Sequence, residues 1–143
     1  VIVLDANLLI YAYNTGSTHH IKARDWLEKI LSEIEVVGLP WQGVSAFLRV
    51  MTNRRLPGEH FSVEEAAGVV NLWLAHPNVH ILAAGDNYWR LFRRMVVEGR
   101  ASGPLVSDAE IAALTIEYGG VLHTVDRDFA RFPGLRWVNP LAS

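Results

Sequence analysis

Val1-Ile2-Val3-Leu4-Asp5-Ala6-Asn7 opens the sequence. Four apolar residues, three of them β-branched, run into a carboxylate and then an amide. A continuous apolar run of this length reads as a strand buried on both faces, the kind found in the middle of a parallel sheet. Asp5 then falls at the strand's C-terminal end, where open α/β sheets place their ligands. The stretch therefore predicts both a central strand and the anchor of a site.

Downstream, helices and strands alternate. Asn7 to Tyr13 reads as a short helix, and Asn14-Thr15-Gly16-Ser17 as a turn. Thr18 is expected to cap a helix whose apolar face carries Ile21, Trp26, Leu27, Ile30 and Leu31. Val36-Val37-Gly38-Leu39 reads as a second strand ending at Pro40, and Trp41 to Thr52 as a helix with Val44, Phe47, Leu48 and Met51 on one side. Ser62-Val63-Glu64-Glu65 has capping-box spacing, and a helix follows to about His76. Val79-His80-Ile81-Leu82 is a third strand. Asp86 is expected to cap a helix ending at Gly99. Ser107 is expected to cap another, Asp108 to Tyr118, stopped by Gly119-Gly120. Val121 to Val125 is a fourth strand and Arg136-Trp137-Val138 a short fifth. Alternation of this kind predicts one α/β domain over residues 1–143, a parallel sheet covered on both faces.

Composition bounds the function. At 143 residues and half hydrophobic, the chain can build one core without staples. It has no cysteine, hence no disulfide framework and no thiolate metal site. Its apolar runs are strand-sized, short of a membrane span. The first residues read as core rather than as a signal peptide, so a cytoplasmic protein is expected. Val1 in place of Met leaves trimming at the start open. The net charge is only −2, yet of 13 basic residues just Lys22 and Lys29 are lysine. Arginine is shaped for phosphate, and if the acids gather at one site the remaining surface is more basic than the total implies. The arginines are therefore expected to flank the acids and grip a polyanion, ordinary solvated helix faces being the alternative.

Three places set carboxylates beside a strand end or helix start: Asp5, Asp108, and the pair Asp126 and Asp128. In a parallel sheet these positions share one edge, so the acids can converge. Converging carboxylates repel unless a cation sits between them. Hard oxygen ligands without cysteine favour Mg²⁺ or Mn²⁺. Such a site suits phosphodiester hydrolysis, in which the metal activates a water and neutralises the phosphate. Asn7 and Thr124 are polar neighbours able to orient an acid or a water. Local roles compete with this reading. Asp108 could favour a helix N-terminus, Asp126 and Asp128 could cap Phe129-Ala130-Arg131, and Ser107 with Glu110 has capping-box spacing, favouring a structural Glu110. The six histidines show no metal spacing. The five tryptophans are expected to fill core or an interface rather than stack on bases.

Val3-Leu4-Asp5-Ala6-Asn7-Leu8-Leu9, Ser107-Asp108-Ala109-Glu110-Ile111-Ala112-Ala113-Leu114 and Thr124-Val125-Asp126-Arg127-Asp128-Phe129 together resemble PIN-domain ribonucleases. The overall length and the ending Phe132 to Leu141 are similar to the VapC toxins of bacterial type II toxin–antitoxin systems. The resemblance implies a three-layer α/β/α fold with strand order 3-2-1-4-5, Mg²⁺- or Mn²⁺-dependent cleavage of RNA, a homodimer, and a VapB-like antitoxin that blocks the site. By motif it makes Asp5, Asp108 and Asp126 metal ligands, with Asp128 a further catalytic acid and Asn7 and Thr124 supporting groups. One departure stands out. The family's usual glutamate early in the helix after the second strand is missing. Phe47 takes its slot, and Gln42 or Ser45 is the nearest polar substitute, which weakens the case for two metals.

Two other functions compete. A phosphotransferase using Asp5 as nucleophile needs a second Asp two residues on, where this chain has Asn7, or a late Lys, which it lacks. A catalytically weakened PIN-like module would bind RNA or an antitoxin without cleavage.

Overall fold

The computed structural model describes residues 1–58 and 60–142. Its centre is β1 (Ile2–Leu4), flanked by β2 (Val37–Pro40) and β4 (Val121–His123), with β3 (Val79–Leu82) and β5 (Trp137–Val138) at the edges. The order is β3-β2-β1-β4-β5 and every pairing is parallel, so the expected order 3-2-1-4-5 holds. Successive side chains of a strand face opposite sides. Accordingly Ile2 and Leu4 pack into one core and Val3 into the other. All three are buried, which is why β1 carries no polar alternation.

The first core lies under α1 (Ala6–Tyr13), α2 (His20–Leu31), α3 (Trp41–Met51) and α4 (Val63–Ala75). Its heaviest contact sets Phe47 edge-on to Trp73, 4.6 Å between centroids, with the Trp73 indole N–H donating to the Tyr13 hydroxyl at 3.0 Å. The second core lies under α5 (Tyr88–Glu98), α6 (Leu105–Glu117) and a 3₁₀ turn at Arg127–Arg131. In β2, Gly38 leaves room for Leu82 of β3; a Cβ there would come within 2.7 Å of that side chain.

The capping box at Ser62 and Glu65 forms as expected, with both reciprocal bonds present. Three other expected caps do not. Thr18 lies inside a turn in which the Ser17 hydroxyl accepts from the His19 N–H, so α2 starts at His20 with no side-chain cap. Asp86 does not cap α5. Glu117, reaching across from α6, accepts from the backbone N–H groups of Gly85 and Asn87 instead. Ser107 does not cap α6, which begins two residues earlier, at Leu105 behind Pro104. Proline suits a helix start because its fixed φ is already helical and no N–H is lost. β4 ends at His123, two residues short of the expected Val125, because the chain turns at Thr124 toward Asp5.

Candidate active site

Asp5 ends β1 and opens α1. It is the N-cap of that helix, and one carboxylate oxygen accepts from the Ala6 N–H at 2.8 Å. The other accepts from the Thr124 hydroxyl at 2.6 Å. Asp5 is only 9% exposed. Burial raises its pKa above the usual carboxylate range, these two hydrogen bonds pull it back, and the charge of Asp126 pushes it up again.

Thr124, fully buried just after β4, is the hub of the arrangement. Its oxygen donates to Asp5 and accepts from the Asn7 side-chain amide at 3.3 Å and from the Asp126 N–H at 3.0 Å. One hydroxyl thus ties β1, α1 and the segment after β4 together. The Asn7 amide oxygen is buried and finds no partner among the described residues. An orphaned buried acceptor of this kind marks a place for a water or an ion.

Asp108 lies in the first turn of α6 and is half-buried. Its pKa is pushed up to about 6, first by burial, then by the charges of Asp5, Asp126 and Asp128, with Arg131 pulling down. These four acids therefore feel one another. Asp126 also performs the local role foreseen for it, accepting from the Asp128 N–H at 2.8 Å as N-cap of the 3₁₀ turn.

Asp5 and Asp108 open onto a cleft of about 720 Å³. One wall is the face of α3 carrying Trp41, Gln42, Ser45, Ala46 and Arg49. Across from it stand Tyr88 and the α6 residues Asp108, Glu110 and Ile111. Asp126, Asp128, Asn7 and Thr124 are not among the residues that line this cleft. Gln42 donates to Glu110 across the cleft at 2.7 Å. The structural role expected for Glu110 is thereby corrected: with α6 starting at Leu105, no capping box exists, and the carboxylate faces the cleft. Pro104 was the sequence signal for that earlier start. Phe47, in the slot where an acid was missing, is wholly buried against Tyr13 and Trp73.

The arginines divide between the two uses expected for them. Arg49 lines the cleft and Arg131 acts on Asp108, but several others serve local structure. Arg24 pairs with Asp25, Arg94 with Glu98, and Arg136 donates to the Gly119 carbonyl. The tryptophans divide. Trp73 is core, whereas Trp41 is 55% exposed on the cleft wall and Trp89 is exposed on α5.

Oxygen donors alone, mutually repelling carboxylates and an unpartnered Asn7 oxygen fit a hard divalent cation by their chemistry. As they stand, no three His, Cys, Asp or Glu side chains among the described residues are grouped to hold one. Asp5 and Asp126 direct oxygens into local hydrogen bonds, so only part of each carboxylate is free for a common point.

Residues 2–135 match the family model described as PIN domain. The chain belongs to the PIN-domain family, the class that its strand order and acid positions define. Within that class it falls among VapC-type proteins. Ribonuclease VapC43 of Mycobacterium tuberculosis is 36% identical over 141 residues, covering 99% of this chain and 96% of that protein. Ribonuclease VapC33 of the same organism is 33% identical, covering 99% of each. Among solved structures, VapBC2 from Rickettsia felis, bound to a DNA fragment from its promoter, aligns with TM-score 0.68 at 17% identity over 96% of this chain and 97% of that one. M. tuberculosis VapC20, a sarcin–ricin-loop-cleaving toxin, aligns with TM-score 0.65 at 18% identity over 95% and 99%. Identities that low speak for the fold alone.

Proposed function

We propose that the protein is a metal-dependent endoribonuclease and the toxin of a type II toxin–antitoxin pair. The coarser part, an RNA-cleaving toxin, is supported by kinship with the VapC ribonucleases along nearly the whole chain. The observation that carries the site is the gathering of Asp5, Asp126 and Asp128 around Asp108 beside an open cleft, where burial first and then their charges raise Asp108 to about 6. Asp5, Asp108 and Asp126 would hold Mg²⁺ or Mn²⁺, with Asp128 completing the charge. A bound cation supplies neutralisation of the phosphate and activation of a water. The chain's own groups do the rest. Thr124 fixes the Asp5 carboxylate, the free Asn7 oxygen orients an incoming water, and Arg49 holds the RNA backbone in the cleft.

A VapB-like antitoxin and a homodimer complete the proposal. The solved VapBC complexes of similar fold support the first. The exposed Trp89 and Val97, on one stripe of α5, support the second. No described helix is long and apolar enough to cross a membrane.

The test is RNA cleavage with Mg²⁺ or Mn²⁺ by wild type, Asp5→Ala and Asp108→Ala. Activity in the wild type alone is expected, and cleavage persisting in both variants would remove the site. The weakened binding module is favoured by one observation: α3 turns Gln42 and Ser45, but no carboxylate, toward the cleft. RNA binding by a clean wild type that cuts no RNA at any metal concentration would select it.

A further inference from the structure

Trp41 is the first residue of α3, directly after Pro40 at the end of β2. Pro40 is paired in register with Leu82, so the backbone beneath Trp41 is fixed by the sheet. Yet its side chain is 55% exposed. Among the described residues it stacks on no other aromatic ring and its indole N–H has no partner, unlike Trp73, which is buried against Phe47 and bonded to Tyr13. Trp89 is more exposed still, but it packs edge-on to Phe92 and lies off the cleft. Trp41 alone combines a free ring face with a place on the cleft onto which Asp5 and Asp108 open.

Its neighbours suit a base and a phosphate. The same cleft is also lined by the apolar Leu82, Ala83 and Ala84. Arg49 lies eight residues on along the same face of α3, about 12 Å at the helical rise of 1.5 Å per residue. Gln42 and Ser45 lie between them. One helix face therefore presents an aromatic platform, neutral polar groups and then a cation. An unpaired base needs a π-face to lie on, and the backbone next to it needs a positive charge.

We propose that Trp41 is the base-stacking residue of the cleft, holding one unpaired RNA base so that the adjoining backbone runs past Arg49 toward Asp5 and Asp108. The inference rests on the RNA-cleaving reading of this site and assigns how the strand is positioned there. Trp41 is a binding residue, and Arg49 a backbone contact without base preference.

The experiment uses the full chain without divalent ions, so that RNA is bound but not cut. A fluorescein-labelled oligouridine is titrated by anisotropy against wild type, Trp41→Ala, Trp41→Phe and Arg49→Ala. It is then repeated with oligomers carrying a single abasic position, moved along the strand. Trp41→Ala is expected to weaken binding on the order of ten- to a hundred-fold and Trp41→Phe much less. One abasic position should cost wild type a similar factor and cost Trp41→Ala almost nothing further, a non-additivity that a structural role would not produce. Arg49→Ala should reduce the salt dependence by about 0.7 in slope. Unchanged affinity of Trp41→Ala, or additive losses at every abasic position, would overturn the stacking while leaving the ribonuclease reading intact. Absence of RNA binding by wild type would overturn both.

Discussion

Replacing Asp108 by asparagine should make the metal-free protein more stable while ending its activity. Asp108 is the acid whose pKa the fold displaces to about 6, from an ordinary value of 3.8. A shift of roughly 2 units corresponds to about 3 kcal/mol between the ionised and neutral forms. The carboxylate is partly exposed, and solvent screening reduces this to about 1–2 kcal/mol. A carboxyl with its pKa raised on folding binds its proton more tightly in the native state, so ionisation opposes folding. The cost is absent below about pH 3.8, grows as pH rises, and is complete above about 6. The neutral amide of the Asp108→Asn variant carries no such cost at any pH. Thermal melts of both proteins without divalent ions should separate by roughly 2–8 °C at pH 7.5, Asp108→Asn being higher. The gap should close toward pH 4. Added Mg²⁺ should raise the wild-type midpoint more than that of the variant, because ligand binding to the native state stabilises it. A less stable Asp108→Asn at pH 7.5, or a gap independent of pH, would refute the argument that burial and the neighbouring acids together raise Asp108.

Thr124→Val keeps the shape but removes the donor to Asp5 and the acceptor for Asn7 and the Asp126 N–H. It should cost about 2–4 kcal/mol in urea unfolding and most of the cleavage rate. Phe47→Glu puts an acid in the slot to which the sequence resemblance pointed, but that slot lies in the core against Trp73. It should destabilise by more than about 4 kcal/mol without tightening metal binding, measured by denaturation and calorimetry. Ser45→Glu puts the acid on the cleft wall instead, and should fold normally and bind Mn²⁺ more tightly than wild type. Gln42→Leu leaves Glu110 without its cross-cleft donor. A calorimetric Mn²⁺ titration should show altered affinity in that variant if Glu110 contributes to the site's charge.

Much of this was legible in the sequence for identifiable reasons. A strand buried on both faces must be continuously apolar, so residues 1–4 announced the centre of a parallel sheet. A parallel sheet gathers strand ends and helix starts on one edge, so Asp5, Asp108, Asp126 and Asp128 could be assigned to one place from their positions alone. The strand order came through the resemblance of three short motifs, not through periodicity. The local capping box at Ser62 was readable because its bonds join residues three apart.

What failed were the contacts made across the fold. No local rule predicts that Glu117 of α6 satisfies the start of α5, or that Gln42 of α3 meets Glu110 of α6, since these pairs are 30 or more residues apart. Nor does the sequence separate Trp41 from Trp73. Both sit on amphipathic helices, and only packing buries one and leaves the other on the cleft wall. The sequence by itself determined the central strand, the shared edge and the four acids, because those follow from hydrophobic patterning and the geometry of parallel crossovers. The tertiary structure decided how readily Asp5 and Asp108 ionise, which hydroxyl holds Asp5, and which residues line the cleft. Burial, like-charge proximity and hydrogen bonds between distant segments come into being only when the chain closes.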